Sequence, residues 1–227
     1  MTDYLRFPRT PHLMWLGRGE ARGDKVLSPQ EAEALLARPV IVEEKVDGAN
    51  VGFSLDAHGK LRAQNRGHFL EWDAPPPQFR TLADWVARHR DTLTPALAGG
   101  LILFGEWCYA RHSIEYTRLP DWFVAFDVYD RDAERFWSVE RRDALVKSAG
   151  LACVPEVARG QFDRRTITAL LGPSRFTDGP AEGIYLRRDD GPYLEVRAKL
   201  VRAEFTQAIG EHWSRGQIQR NRLAPPA

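Results

Sequence analysis

Apolar and polar residues alternate along this chain with two different periods, and the changes of period divide it into elements. SPQEAEALLA (28–37) carries a serine cap followed by helical spacing, so a short helix precedes the first strand. PVIVEE (39–44) and ANVGFSL (49–55) are rich in strand formers, and DAHGK ahead of LRAQNR (61–66) reads as the turn of an antiparallel hairpin. The prolines at 75–77 end that unit. Leu82, Trp85, Val86 and His89 share one helical face, which predicts an amphipathic helix over 79–97, interrupted near Pro95. LILFGEWCY (101–109) and DWFVAFDVYD (121–130) read as core strands, and SVERRDALVKSAG (138–150) as a helix between a serine cap and a terminal glycine. A short helix over 163–171, strands at GIYLRR (183–188) and YLEVRAKL (193–200), and a final helix AEFTQAIGEHW (203–213) complete the pattern. Hairpin-linked strands interleaved with helices predict an α+β domain on antiparallel sheet, not a doubly wound parallel one.

Charged residues interrupt these apolar runs at strand ends. Lys45 and Asp47 follow the first strand, Arg66 ends the hairpin, Glu106 breaks LFGEW, Asp127 breaks FVAFDVY, Glu182 opens EGIYL, and Arg197 and Lys199 stand in LEVRAKL. Side chains alternate faces along a strand, so Arg197 and Lys199 are expected to make one cationic face, with Phe126 and Asp127 on opposite faces.

Composition narrows the classes. With 227 residues and 43% apolar content, residues 1–227 suit a single domain with a packed core. Residues 1–27 form an irregular basic segment in this reading, and 203–227 a short helical and basic tail. No run nears the roughly 18 apolar residues of a spanning helix and MTDYLRFPRT lacks a signal peptide's apolar core, so no membrane role and a cytoplasmic location are expected. Cys108 and Cys153 have no metal-ligand spacing and read as small buried hydrophobes. The net charge of +1 gives no whole-chain case for nucleic acid. Any such case rests on local basic faces: Arg6, Arg9, Arg18, Arg22 and Lys25 near the start, and Arg197, Lys199, Arg202, Arg215, Arg220 and Arg222 near the end.

EKVDGAN (44–50) resembles motif I of the covalent nucleotidyltransferases, the superfamily of RNA ligases, DNA ligases and capping enzymes. FGEW (104–107), FVAFDVYD (123–130), EGIYLR (182–187) and VRAKL (196–200) resemble motifs III, IIIa, IV and V of that set, in order. The resemblance spans about residues 40–205 and is nearest to ATP-dependent RNA ligases of the RNA ligase 2-like kind. It implies an antiparallel-sheet nucleotidyltransferase fold, the ATP-grasp-like adenylation domain of ligases, with peripheral helices; many relatives append an OB-fold, and since the stretch after Lys199 is too short for one, no appended OB-fold is expected here. It implies that Lys45 is the nucleophile, that Asp47 and Gly48 shape its loop, that Glu44 recognises the adenine amino group and that Phe126 stacks on the base. Arg66 and Glu106 would contact the ribose region, Arg197 and Lys199 the phosphates, and Asn50 the nucleotide more loosely. Asp47, Glu106 and Glu182 would serve Mg²⁺ or Mn²⁺. His68 and His112 suit a substrate contact or a structural hydrogen bond equally.

The activity implied is ATP-dependent joining of an RNA 5′-phosphate to a 3′-hydroxyl through lysyl-AMP, in RNA repair, with an end-processing kinase or phosphatase as a possible partner. The alternatives are a DNA ligase or guanylyltransferase of the same superfamily, or an RNA-end-binding module that needs a partner. Many relatives have Lys-x-Lys in motif V where this chain has Arg197, an arginine that keeps the charge but cannot give up a proton. A lysine nucleophile must be neutral, and its reference pKa of about 10.4 leaves well under 1% neutral at pH 7, so the site is expected to lower it.

Overall fold

Two antiparallel sheets share the chain. The computed structural model describes residues 4–18, 21, 25–207 and 218–225. Its elements run α1 (Pro29–Leu36), β1 (Val40–Lys45), β2 (Ala49–Leu55), β3 (Leu61–Gln64), a 3₁₀ turn (Pro77–Phe79), α2 (Leu82–Ala96), β4 (Leu101–Trp107) and β5 (Phe123–Asp130). There follow β6 (Arg135–Phe136), α3 (Val139–Ser148), β7 (Ala152–Cys153), β8 (Glu156–Gly160), α4 (Arg164–Ala169), β9 (Gly183–Asp190), β10 (Tyr193–Val201) and α5 (Ala203–Gln207). The first sheet has the order β10-β9-β1-β8; the second has β3-β2-β4-β5-β6, with β7 parallel to β5. The expected α+β class and the long elements hold. The two-residue strands β6 and β7, and the exposed β8, have too little periodicity to stand out in the sequence. The final helix is described only to Gln207; the rest of 203–213, with Arg22 and Arg215, lies outside the described residues.

Each sheet buries one apolar face under helices. Val40 and Val42 of β1 pack with Ile184, Leu186, Ala198 and Leu200 against Leu35 and Leu36 of α1 and Ile167 of α4. In the second sheet Val51, Phe53, Leu103, Trp107, Ala125 and Val128 face Trp85, Val86 and Leu93 of α2. By alternation the other face of the first sheet carries Glu43 and Lys45 of β1, Tyr185 and Arg187 of β9, and Arg197 and Lys199 of β10. Strand pairing sets Lys199 opposite Tyr185 and Arg197 opposite Arg187.

One expectation about faces is corrected by a bulge. Phe104 pairs with Asp127 and Gly105 with Ala125, so Phe126 is the extra residue of β5. Ala125 and Val128 both lie in the α2-facing core, three positions apart. Phe126 and Asp127 therefore both turn to the opposite side, and both meet the cluster around Arg197: its guanidinium bonds Asp127 and lies over Phe7, whose ring touches Phe126.

The terminal segments are part of the fold. Leu13 N–H donates to the Lys199 carbonyl and Lys199 N–H to that of Pro11, and Phe7 packs among Phe104, Phe126 and Phe136. Near the other end, buried Asn221 donates through Nδ2 to the carbonyls of Cys108 and Ala110 and accepts from Tyr116 N–H. Of the two cysteines, Cys108 is buried as expected, but Cys153 is half-buried, with Sγ 3.2 Å from Asp143 Oδ1. Among the described residues no helix is long and apolar enough to cross a membrane.

Candidate active site

The chain crosses from the first sheet to the second in three residues, Val46, Asp47 and Gly48, and Lys45 is the last residue before the crossing. Glycine is needed there because a Cβ on residue 48 would lie 3.0 Å from the Trp107 carbonyl oxygen and 3.1 Å from Cys108 Sγ. The crossing is pinned by Tyr116, whose hydroxyl oxygen accepts from Asp47 N–H at 2.7 Å. A cavity of about 180 Å³ opens beside Lys45, and its walls include Glu44, Arg66, Glu106, Phe126, Glu182 and Lys199. Six separate strands or loops thus bring these sequence-expected side chains to one place.

Lys45 Nζ donates to Glu182 Oε2 at 2.5 Å. Burial is the largest single influence on this ammonium and would lower its pKa, but Glu182, Asp47 and Glu106 together outweigh it and hold the value above the ordinary one. The expected lowering is therefore not seen, because the negative charges of these three carboxylates act together on the Lys45 ammonium. Burial raises the Glu106 carboxyl to about 8, against the opposing pull of Lys45 and Arg66. Its Oε2 is buried with no hydrogen-bond partner among the described residues. Glu182 is also raised, again chiefly by burial.

Hard oxygen donors around a buried, unpartnered carboxylate oxygen fit a divalent cation that keeps part of its shell for water and phosphate. Among the described residues no three His, Cys, Asp or Glu side chains form a ready cage. Asp47 is turned toward the loop at 111–113: Oδ2 accepts from Ser113 N–H and Oδ1 lies 4.0 Å from His112 Nδ1. Glu106 and Glu182 remain the better-placed carboxylates.

Two expected residues sit otherwise than the sequence suggested. Glu44 lines the cavity, but both carboxylate oxygens are occupied, by Ser174 Oγ–H at 2.5 Å and Arg175 N–H at 2.8 Å. Arg197 shares a face with Lys199 but is not among the lining residues; it donates to Asp127 at 2.7 Å and lies over Phe7 and Phe136. Asp127 also accepts from Arg187 at 2.9 Å. Buried Arg142 of α3 bonds Glu43 at 2.5 Å. Arg142 and Arg187 both donate to the Phe126 carbonyl, at 2.8 and 3.1 Å, and so fix the bulge that presents the Phe126 ring.

Asn50 and His68 lie in a neighbouring groove of about 550 Å³ with Gln78 and His112. It shares Lys45, Val46, Arg66 and Glu106 with the first cavity. His68 contacts Asn65, and His112 Nε2 is 3.2 Å from Gln78 Oε1. Sequence reasoning missed Phe7, Arg9, Thr10, Val154 and Tyr185 among the cavity's walls. Alternation from Arg187 would have found Tyr185; nothing in the proline-broken start marked Phe7 or Thr10, whose hydroxyl is 2.8 Å from that of Tyr185.

The model of the RNA ligase family matches residues 38–201, and the chain belongs to that family. Among solved structures it is similar to Naegleria gruberi RNA ligase, in a mutant form with ATP and Mn, at 20% identity and a TM-score of 0.67 over 95% of this chain and 60% of that one. The same ligase with PPi matches at 24% identity and a TM-score of 0.60, over 76% of this chain and 52% of that one. A mutant form with AMP and Mn matches at 20% and 0.67. The chain thus spans about 60% of the length of the first of these, and at these identities the likeness is one of fold. A search of curated proteins found no match.

Proposed function

We propose that this protein is an ATP-dependent RNA ligase that adenylylates itself on Lys45, passes AMP to an RNA 5′-phosphate and joins that end to a 3′-hydroxyl in RNA repair. The observation that carries the reading is Lys45 at the sheet crossing, open both to the cavity lined by Phe126 and Lys199 and to a second groove. Structures of the Naegleria ligase with ATP, AMP and Mn support the choice of nucleotide and metal.

In the first step Lys45 Nζ forms a bond to the α-phosphorus as the bond to pyrophosphate breaks. The amine must first give its proton to water, a loss that the surrounding carboxylates oppose while they remain charged. Glu182 and Glu106 would hold a divalent cation, with Asp47 within electrostatic reach, and that cation would supply positive charge to offset the carboxylates and the phosphate. Lys199 holds the phosphates; Arg197 contributes through Asp127, which it shares with Arg187. Phe126 stacks on the base with its carbonyl held by two arginines, Glu44 shapes the base end through Ser174 and Arg175, and Arg66 and Asn50 face the sugar and the incoming end.

The test is incubation with ATP, Mg²⁺ and labelled 5′-phosphorylated RNA or DNA, alone and as nicked duplexes. An adenylylated RNA end and sealed RNA are expected. Sealing of all-DNA nicks alone, or preference for GTP, would replace this reading with that of a DNA ligase or guanylyltransferase.

A further inference from the structure

Residues 218–225 run as an extended segment beside residues 108–119. The main chain pairs at Arg111 N–H to Gln219 O, at Arg222 N–H to Tyr116 O and at Ala224 N–H to Leu119 O. Its inward anchor is Asn221, 2% exposed and bonded at both ends of its amide. An extended chain alternates, so the neighbours of Asn221 turn outward: Arg220 and Arg222 are both exposed. Only Asn221 of this segment is fully buried, with Ile218 half-buried and Leu223 exposed, so docking gains little hydrophobic stabilisation. Its docking does place two cations.

Those cations meet others. Arg80 donates to the Tyr109 hydroxyl at 2.8 Å, and Arg80 and Arg220 lie 5.4 and 5.7 Å from the Tyr109 ring. Arg111 and Arg222 both pair with Glu115, at 3.2 and 3.3 Å. Among the described residues these four guanidinium groups share one carboxylate ion-pair partner, Glu115, which leaves the ridge cationic. It abuts the second groove twice, because Gln78 and Phe79 line that groove just before Arg80, and His112 lines it just after Arg111.

We propose that this ridge is the docking surface for the sugar-phosphate backbone of the RNA whose end enters the groove beside Lys45. The proposal rests on the RNA ligase reading. A strand is polyanionic along its length, and guanidinium groups on a solvent-facing ridge neutralise successive phosphates without demanding sequence. Continuity with the groove favours a nucleic-acid strand over an acidic protein partner, which would have no reason to lead to Lys45.

The experiment uses the full chain and a short fluorescent 5′-phosphorylated RNA, with affinity measured across a range of salt. A double variant, Arg80→Ala with Arg220→Ala, is expected to bind RNA at least tenfold more weakly. It should also flatten the log–log salt slope by about 1.4, or about 0.7 for each phosphate of a single strand that is no longer neutralised. Labelling of Lys45 by ATP, which needs no RNA, should stay within twofold of wild type. Arg80→Lys with Arg220→Lys should restore the slope. An unchanged slope and affinity in the alanine variant would overturn the proposal, as would weakened binding with an unchanged slope. Failure of the wild type to label Lys45 would instead count against the ligase reading while leaving the binding result to stand on its own.

Discussion

Arg197→Ala separates two roles for one side chain. In the sequence Arg197 reads as a phosphate clamp beside Lys199; in the structure its guanidinium is spent on fully buried Asp127 at 2.7 Å and lies 4.6 and 4.3 Å from the centroids of Phe7 and Phe136. Removing it deletes a charge-assisted hydrogen bond worth about 1.5–3 kcal/mol and two cation–ring contacts worth about 0.5–1 kcal/mol each. Asp127 keeps Arg187 at 2.9 Å, which limits the damage. The expected loss is therefore about 3 kcal/mol, and with a urea m-value of about 2 kcal/mol/M the unfolding midpoint should fall by about 1.5 M. Seven tryptophans give the fluorescence signal. Arg197→Lys keeps the charge but not the fork and should lie between alanine and wild type. An alanine variant that unfolds at the wild-type midpoint yet labels Lys45 at least tenfold more slowly would refute the reasoning and return Arg197 to the phosphates.

Other consequences follow from the buried polar groups. Because the folded protein holds the Glu106 carboxyl near 8, above its ordinary 4.5, folding retains a proton that the unfolded chain loses. That contribution is complete at low pH and is lost as pH rises through 8, with a slope of at most about 1.4 kcal/mol per pH unit between 4.5 and 8. Glu106→Gln should gain stability relative to wild type across that window in metal-free buffer; parallel melting curves at pH 5 and pH 8 would contradict the assignment. Asn221→Ala strands Tyr116 N–H and two carbonyls and should cost about 2–4 kcal/mol by chemical denaturation. An unperturbed midpoint would show that the C-terminal segment is not held by this residue.

The long elements were legible because each carries a whole face of one period: Val40 and Val42, or Leu103 and Trp107, leave no second arrangement that buries them. Lys45, Glu106, Phe126, Glu182 and Lys199 were legible as an ordered set, and the fold gathers them at one cavity. The partners of Arg197 and Glu44 were not legible. Both depend on which residue faces them across the two sheets or from the loop at Ser174, and a period of two does not contain that information. The bulge at Phe126 was hidden for a related reason: FVAFDVY reads as unbroken alternation until its pairing with β4 is known. Arg142 on its helix and Glu43 in its strand are each buried against the other, a pairing that neither local period reveals.

The central claim is covalent chemistry at Lys45. The most direct measurement is peptide mass analysis of the protein after incubation with ATP and Mg²⁺, alongside Lys45→Ala. The account predicts one AMP-sized adduct, labile in acid, on the peptide containing Lys45 and none in the alanine variant. An adduct of equal yield in Lys45→Ala, or one mapped to Lys199, would contradict it.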